Sequence, residues 1–140
     1  MLSKTGIHAI RAMVALAEVP EGAYQGAGAI ANAIHAPRNY LGKLLQLLSR
    51  EGLVESQKGM GGGFRLSLDP KKISLLDVVD PIEHISRWSG CILGRQSCSE
   101  ENPCALHPRW KVVREHYIQM LQETTVAELL QDTTLKEMIA

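Results

Sequence analysis

The fold is decided by residues 38–68, which read RNYLGKLLQLLSREGLVESQKGMGGGFRLSL. Residues 38–50 predict a helix, because leucines recur along this segment at helical spacing while polar residues occupy the opposite side. The leucine stripe consists of Leu41, Leu44, Leu45 and Leu48, and the polar side consists of Asn39, Lys43, Gln46 and Arg50. This helix is therefore expected to bury one face and to present the other to solvent or to a partner.

A two-stranded hairpin is predicted directly after this helix. Residues 53–57 and 64–68 can each alternate as strands, and the glycine-rich run 58–63 between them is typical of a turn. A short apolar helix over about residues 29–34 precedes the long one, and Ala36-Pro37 separates the two. This order predicts a mainly α fold with a small β-wing, in which residues 1–73 form a winged helix-turn-helix domain.

The rest of the chain is predicted to be helical, apart from one loop. Residues 3–18 form an amphipathic pattern with a buried stripe. That stripe consists of Ile7, Ile10, Val14 and Ala17. Residues 74–77 match a capping box that opens another helix. Residues 86–103 have no clear period, and a long helix is predicted from about residue 105 to residue 122.

Charge is distributed unevenly along the chain, although the formal net charge is zero. Residues 1–73 carry a balance of +4 and residues 74–140 a balance of −4, which suggests a polyanion-binding half beside a separate module. A helix of this length fits the major groove of DNA, and a glycine-rich wing tip lets the backbone approach a sugar–phosphate chain. The residues predicted to contact DNA are Arg38, Asn39, Tyr40, Lys43, Gln46, Lys58, Gly61, Gly62 and Arg65.

No secretion or membrane signal is recognised in the sequence. His8 and Arg11 interrupt the apolar run at the N-terminus, and no stretch approaches the ~20 apolar residues of a membrane helix. We therefore expect a cytoplasmic protein. In that compartment cysteines are more often ligands or redox groups than structural disulfides.

The loop and the start of the following helix hold a cluster of candidate ligands: Cys91, Cys98, Cys104 and His107. Thiolates are soft donors that suit an iron–sulfur cluster, zinc or copper(I). The gaps between these cysteines are wider than the short pairs usual for zinc, and they favour a larger polynuclear cluster. Spacing alone leaves zinc and redox-active thiols open. A cysteine enzyme is disfavoured, because no oxyanion-hole motif or substrate-sized domain accompanies the thiols.

Several short motifs, taken in their order and spacing, resemble one known family. They are Lys4-Thr-Gly, Tyr40-Leu41, Gly52-Leu53-Val54, the wing segment Lys58 to Gly63, Ile73-Ser74 with Asp77-Val78, the three cysteines, and Thr125-Val126 with Leu129-Leu130. Together they resemble the Rrf-two-type family of winged-helix iron–sulfur transcriptional regulators. The resemblance runs from about residue 2 to residue 131.

This resemblance implies an iron–sulfur cluster, either 2Fe–2S or 4Fe–4S, on Cys91, Cys98 and Cys104. It implies His107 as the fourth ligand, with His8 of the partner subunit as the alternative. It also implies a homodimer held by the long helix, and a palindromic operator in double-stranded DNA. Residues 74–140 would then comprise a cluster-binding loop and dimerisation helices.

The function expected from the resemblance is that of a cluster-sensing repressor without enzymatic activity. Cluster loss, a change of redox state or nitric oxide would then change its affinity for DNA. The alternative is a cluster-free regulator of the same fold that uses zinc or the thiols themselves.

Overall fold

The computed structural model describes residues 2–87, 91–95 and 99–139. Its elements in chain order are α1 (Lys4–Ala17), α2 (Ala27–Ile34), α3 (Arg38–Arg50), β1 (Val54–Gln57), β2 (Gly63–Leu66), α4 (Leu75–Glu83), α5 (His107–Glu123), α6 (Val126–Gln131) and α7 (Thr133–Ile139). Short 3₁₀ turns cover Pro70–Lys72 and Ile85–Arg87. The helix–helix–hairpin order confirms the predicted mainly helical fold with a small β-wing.

The first helix, α1, lies at the centre of the molecule and packs against α2, α4, α6 and β2. The hydroxyl oxygen of Ser3 caps its start by accepting a hydrogen bond from the Gly6 N–H at 3.1 Å. Its fully buried residues include Ala9, Ala12 and Met13. Ile10 and Val14 are buried as predicted, whereas Ile7 is 37% exposed. The prediction that Ile7 belongs to the buried stripe was wrong, because the neighbouring elements cover other sides of the helix.

The third helix, α3, buries the leucine stripe that the sequence predicts. Leu41, Leu45 and Leu48 are fully buried and Leu44 nearly so. The chain leaves α3 through Gly52, whose φ of +80° lies in the left-handed region that favours glycine at the end of a helix. The Leu53 N–H then donates to the Leu48 carbonyl at 3.0 Å, which directs the chain into the wing.

The wing is an antiparallel pair in which Val54 faces Leu66 and Gln57 faces Gly63. It is joined to the segment before α2, because Gln25 and Phe64 exchange backbone hydrogen bonds of 2.9 and 2.8 Å. Gly63 is required at this joint, since a Cβ there would overlap the Gln25 carbonyl. The wing is therefore fixed to the helical body and is not a free hairpin.

The C-terminal helices close onto the same core. Ser74 and Asp77 form the predicted capping box at the start of α4, with both hydrogen bonds at 3.0 Å. The Leu75 N–H donates to the Thr124 carbonyl at 2.9 Å, which ties α4 to the end of α5. Leu121 and Val126 belong to the same hydrophobic cluster as Met13 and Leu45. One core therefore extends across residues from both halves of the sequence.

The long helix α5 leaves an apolar side uncovered in the single chain. Within this helix only His107 and Leu121 are buried, whereas Val112, Val113 and Met120 are each more than half exposed. Such a surface on a small protein is typical of a site that packs against another protein molecule. In the described part of the chain, no helix is both long and apolar enough to cross a membrane.

Two methionines provide a matched test of this core. Met13 is fully buried in α1, while Met60 is fully exposed at the wing tip. We expect Met13→Ala to lower the free energy of unfolding by about 2–5 kcal/mol, because it leaves a cavity in the core. The same substitution at Met60 should change it by less than about 0.5 kcal/mol. Chemical denaturation at equal protein concentration measures both values, and similar losses for the two variants would contradict the burial of Met13 and the exposure of Met60.

Candidate nucleic-acid interface and thiol site

The polar side of α3 is open to solvent along its whole length. Asn39, Lys43, Gln46 and Arg50 are all exposed, and they form one row opposite the buried leucines. The first turn follows Pro37, and no side chain caps it. Its backbone N–H groups and the side chains of this row are therefore accessible to a ligand that approaches the start of the helix.

Arg38 and Tyr40 are also in the first turn, but both contact the protein. The Arg38 side chain is exposed yet folds back toward α2, where a Cβ added to Gly28 would stand 3.1 Å from its Nε. Tyr40 is half-buried, and its hydroxyl lies 3.4 Å from Nδ1 of His8 in α1. The two rings meet edge to face, with centroids 5.5 Å apart. Tyr40 therefore connects α1 to α3.

His8 is buried in α1, with only 7% of its surface exposed. Burial lowers the pKa of His8 below its ordinary value, and the nearby positive charges of Lys4 and Arg11 lower it further. The neutral ring is the form that can accept a hydrogen bond from Tyr40 or bind a metal ion. His8 is thus enclosed within its own chain, beside the start of α3.

The candidate residues of the wing divide into tip and base. Lys58 and Gly61 are exposed at the tip, and Gly61 has a φ of +75°. Gly62 follows, and a Cβ there would overlap the Gln57 carbonyl, so the turn itself requires this glycine. Arg65 lies at the base, where it forms an ion pair of 2.9 Å with Glu55 and stacks 4.5 Å over the ring of Tyr24.

Two of the three cysteines lie side by side. The Sγ atoms of Cys91 and Cys104 are 3.4 Å apart, and both residues are half-buried. The Leu93 N–H donates to Cys91 Sγ at 3.3 Å, within a turn closed by the Gly94 N–H and the Cys91 carbonyl at 2.9 Å. Cys98 lies outside the described residues.

The fourth candidate ligand, His107, is the first residue of α5 and lies three residues after Cys104 in the chain. His107 is only 8% exposed. Its backbone N–H donates to the Cys104 carbonyl at 3.1 Å. Its Nε2 lies 3.7 Å from a carboxylate oxygen of Glu100, which also forms an ion pair with Lys111. Lys111 and His107 both lower the pKa of Glu100, the lysine more strongly. Glu100 thereby fastens the cysteine loop to the first turns of α5.

The donor set fits a metal site in part. Two thiolates bound to one tetrahedral metal ion at about 2.3 Å each stand about 3.8 Å apart, close to the 3.4 Å between Cys91 and Cys104. Across residues 2–87, 91–95 and 99–139, no three Cys, His, Asp or Glu side chains form a group that could hold a metal ion. Cys98 is not one of these residues.

Sequence reasoning missed the partners of several candidate residues. Glu55 faces Arg65 across the wing, and this pair could have been found by extending the strand register outward from the glycine turn. The contact between His8 and Tyr40, and the one between Glu100 and Lys111, join residues far apart in sequence. No local sequence pattern predicts either contact. The first depends on how α1 and α3 are placed, and the second on how the loop before α5 is placed against that helix.

A helix-turn-helix with an anchored wing and an exposed polar helix face defines a DNA-binding transcriptional regulator. The family model of Rrf2, described as an iron-dependent transcriptional regulator, matches residues 2–132. The chain belongs to the Rrf2 family, which confirms the resemblance found in the sequence. Members of this family are regulators of transcription, which also confirms the prediction that the protein is not an enzyme.

Individual relatives agree with this assignment. A protein of Aquifex aeolicus named as an HTH-type transcriptional regulator is 33% identical over 103 residues, which cover 72% of each chain. The structure of CymR, the global cysteine regulator of B. subtilis, is similar with a TM-score of 0.77 and 25% identity, and covers 93% of this chain and 95% of CymR. The structure of T. potens IscR gives a TM-score of 0.75 and 25% identity, with coverages of 94% and 87%.

The pairing of Cys91 with Cys104 can be tested without any metal. In a Cys98→Ala variant of the apoprotein, these two thiols are the only ones left, and their separation of 3.4 Å allows one trivalent arsenic atom to bridge them. Phenylarsine oxide should therefore add once per chain, as read by intact mass. The double variant Cys98→Ala, Cys104→Ala is the control and should form no stable adduct. Absence of the adduct in the single variant would contradict the geometry.

Proposed function

We propose that this protein is an iron–sulfur-cluster-sensing repressor that binds a palindromic operator as a homodimer. The observation that carries the proposal is the pair of thiols 3.4 Å apart beside the buried His107, on a chain whose α3 exposes a continuous polar row. Because chromosomal DNA is the proposed partner, we expect the protein to act in the cytoplasm.

DNA would be contacted by the exposed row of α3 and by the wing tip. Asn39, Lys43 and Gln46 are the side chains of this row that can reach base edges or phosphates, and Lys58 is the cation of the tip. Arg38 and Tyr40 would contribute from the first turn, where Tyr40 also holds the helix against α1. Gly61 and Gly62 would give the tip its narrow shape. Arg65 would act mainly at the base, because Glu55 already balances its charge.

The cluster would be held by Cys91, Cys98, Cys104 and His107. Their chemistry fits iron, since thiolates and imidazole are ordinary ligands of iron–sulfur clusters. When bound, the cluster supplies a redox-active centre that oxidation, nitric oxide or iron loss can change. His107 is preferred to His8 as the fourth ligand, because His107 lies three residues after Cys104 in the chain, whereas His8 is enclosed beside Tyr40 in its own chain.

A chain of contacts connects this site with the DNA-binding face. Glu100 links the cysteine loop to α5, α5 packs on α4, and α4 packs on α1. Within α1, His8 contacts Tyr40 in the first turn of α3. Rearrangement of the loop can therefore bias the position of α3 through packed elements, as expected for a switch between two states.

The homodimer would be formed by the apolar side of α5. Val112, Val113 and Met120 are exposed there in the single chain, and covering them removes apolar surface from water. A two-fold symmetric dimer presents two copies of α3, and its operator repeats the same half-site in opposite directions.

A second candidate function is regulation by the thiols themselves, with zinc or without metal. The same distance between Cys91 and Cys104 supports it, since a small movement would bring the two Sγ atoms to bonding distance. A peroxide-class oxidant would take up the two electrons and two protons released as the disulfide forms. The structural similarity to a global cysteine regulator is consistent with this candidate.

Oxygen-free purification of the full chain separates these functions. A brown protein with iron, acid-labile sulfide and visible absorption supports the cluster, whereas a colourless protein with zinc or no metal supports the alternative. His107→Ala should alter the absorption spectrum and accelerate loss of iron, while His35→Asn, at the exposed end of α2, should not. If His8→Ala has this effect and His107→Ala does not, His8 of the partner subunit is the ligand.

The DNA-binding face is tested by salt dependence. On an operator selected by the wild-type protein from random duplexes, Lys43→Ala should weaken binding, because one phosphate contact is lost. The salt slope, which is the fall in log K of binding per unit rise in log salt concentration, should decrease by about one. Arg65→Ala should reduce the slope by less than half as much, since Glu55 already pairs with Arg65. Equal reductions in the two variants would show that the wing base, and not α3 alone, carries the phosphate contacts.

A further inference from the structure

The tip of the wing carries one apolar side chain that contacts nothing in the protein. Met60 is 103% exposed, whereas the next most exposed large apolar residue of the described chain, Leu93, is 64% exposed. Met60 therefore makes no contribution to the core of its own chain. An unbranched, polarisable thioether held in this way can be buried only against another molecule.

The backbone on either side of Met60 is built from glycines in special conformations. Gly59 has a φ of +92° and Gly61 a φ of +75°, both in the left-handed region. The Gly62 N–H donates to the Gly59 carbonyl at 3.1 Å and closes the turn. Met60 is thus the only side chain in residues 59–62, and nothing beside it widens the tip.

This narrow tip is held in a fixed place. The hydrogen bonds between Gln25 and Phe64 fasten β2 to the segment before α2. The ion pair between Glu55 and Arg65 joins the two strands across the wing. The tip therefore keeps its position relative to the helix-turn-helix, and ordering it on binding costs little conformational entropy.

A narrow tip with an apolar finger and a neighbouring cation matches the minor groove of DNA. That groove is about 6 Å wide, and proteins that enter it often insert an apolar wedge between base steps. Lys58 is exposed two residues away and can reach the phosphates that border the groove. Methionine requires no hydrogen-bond partner there, unlike a polar side chain in the same position.

We propose that Met60 is an apolar wedge that enters the minor groove and selects deformable base steps. The wedge would favour pyrimidine–purine steps such as TA and CA/TG, because these are the easiest to unstack and kink. Met60 would therefore determine specificity at positions flanking those that α3 contacts. This inference rests on the proposed function, in which the wing faces DNA.

The test uses the full-length protein and its selected operator, with 2-aminopurine placed at successive positions of each half-site flank. Binding of the wild-type protein should raise fluorescence at one step, which reports unstacking. Met60→Ala should abolish this rise and weaken binding by about tenfold, the magnitude expected for losing a buried methionine contact. Met60→Leu, another apolar wedge, should keep most of both effects.

Salt dependence distinguishes the wedge from charge effects. Met60→Ala should leave the salt slope unchanged, whereas Lys58→Ala should lower the slope by about one and leave the fluorescence rise in place. Equal affinity and fluorescence for Met60→Ala and the wild-type protein would overturn the proposal. The proposal would also be overturned if Met60→Ala changed only the dissociation constant of the dimer and not DNA binding, because Met60 would then contact protein. Failure of the wild-type protein to select any operator would refute the proposed function instead.

Discussion

The enclosure of α1 is the constraint on which the rest of the structure depends. This helix packs against α2 and β2 on the side of the DNA-binding unit and against α4 and α6 on the other. Small residues make this possible, since Ala9 and Ala12 are fully buried and Gly6 faces the Glu83 carboxylate at the end of α4. A larger side chain at these positions would separate the two groups of helices. Both units therefore share one core and cannot move independently without cost.

The thiol site and the DNA-binding face are arranged around this shared core. His107 and Cys104 lie at the entrance to α5, and Tyr40 lies at the entrance to α3. In both places a helix start carries candidate functional residues. The leucine face of α3 is buried, whereas α5 keeps an exposed apolar side.

Much of the fold could be predicted from local pattern. The leucine stripe of α3 and the glycine turn of the wing fixed their elements to within one or two residues, because both patterns are read within a few turns or strand positions. The prediction for Ile7 was wrong because several elements pack around α1 and cover Ala9, Ala12 and Met13, but leave Ile7 exposed. A pattern that assumes one buried face cannot predict which sides of such a helix are covered. The partners of Arg65, Tyr40 and Glu100 were missed for a related reason, since each contact joins separate segments.

The sequence by itself determined the order of elements, the leucine face of α3, the glycine turn of the wing and the presence of three soft donors followed by a histidine. These features are local, and side-chain periodicity and backbone preferences are sufficient to produce them. Only the tertiary structure decided that Cys91 and Cys104 lie together, that His8 supports Tyr40, and that Met60 stands clear of the protein. Those arrangements arise from the packing of distant segments, which short-range spacing does not specify.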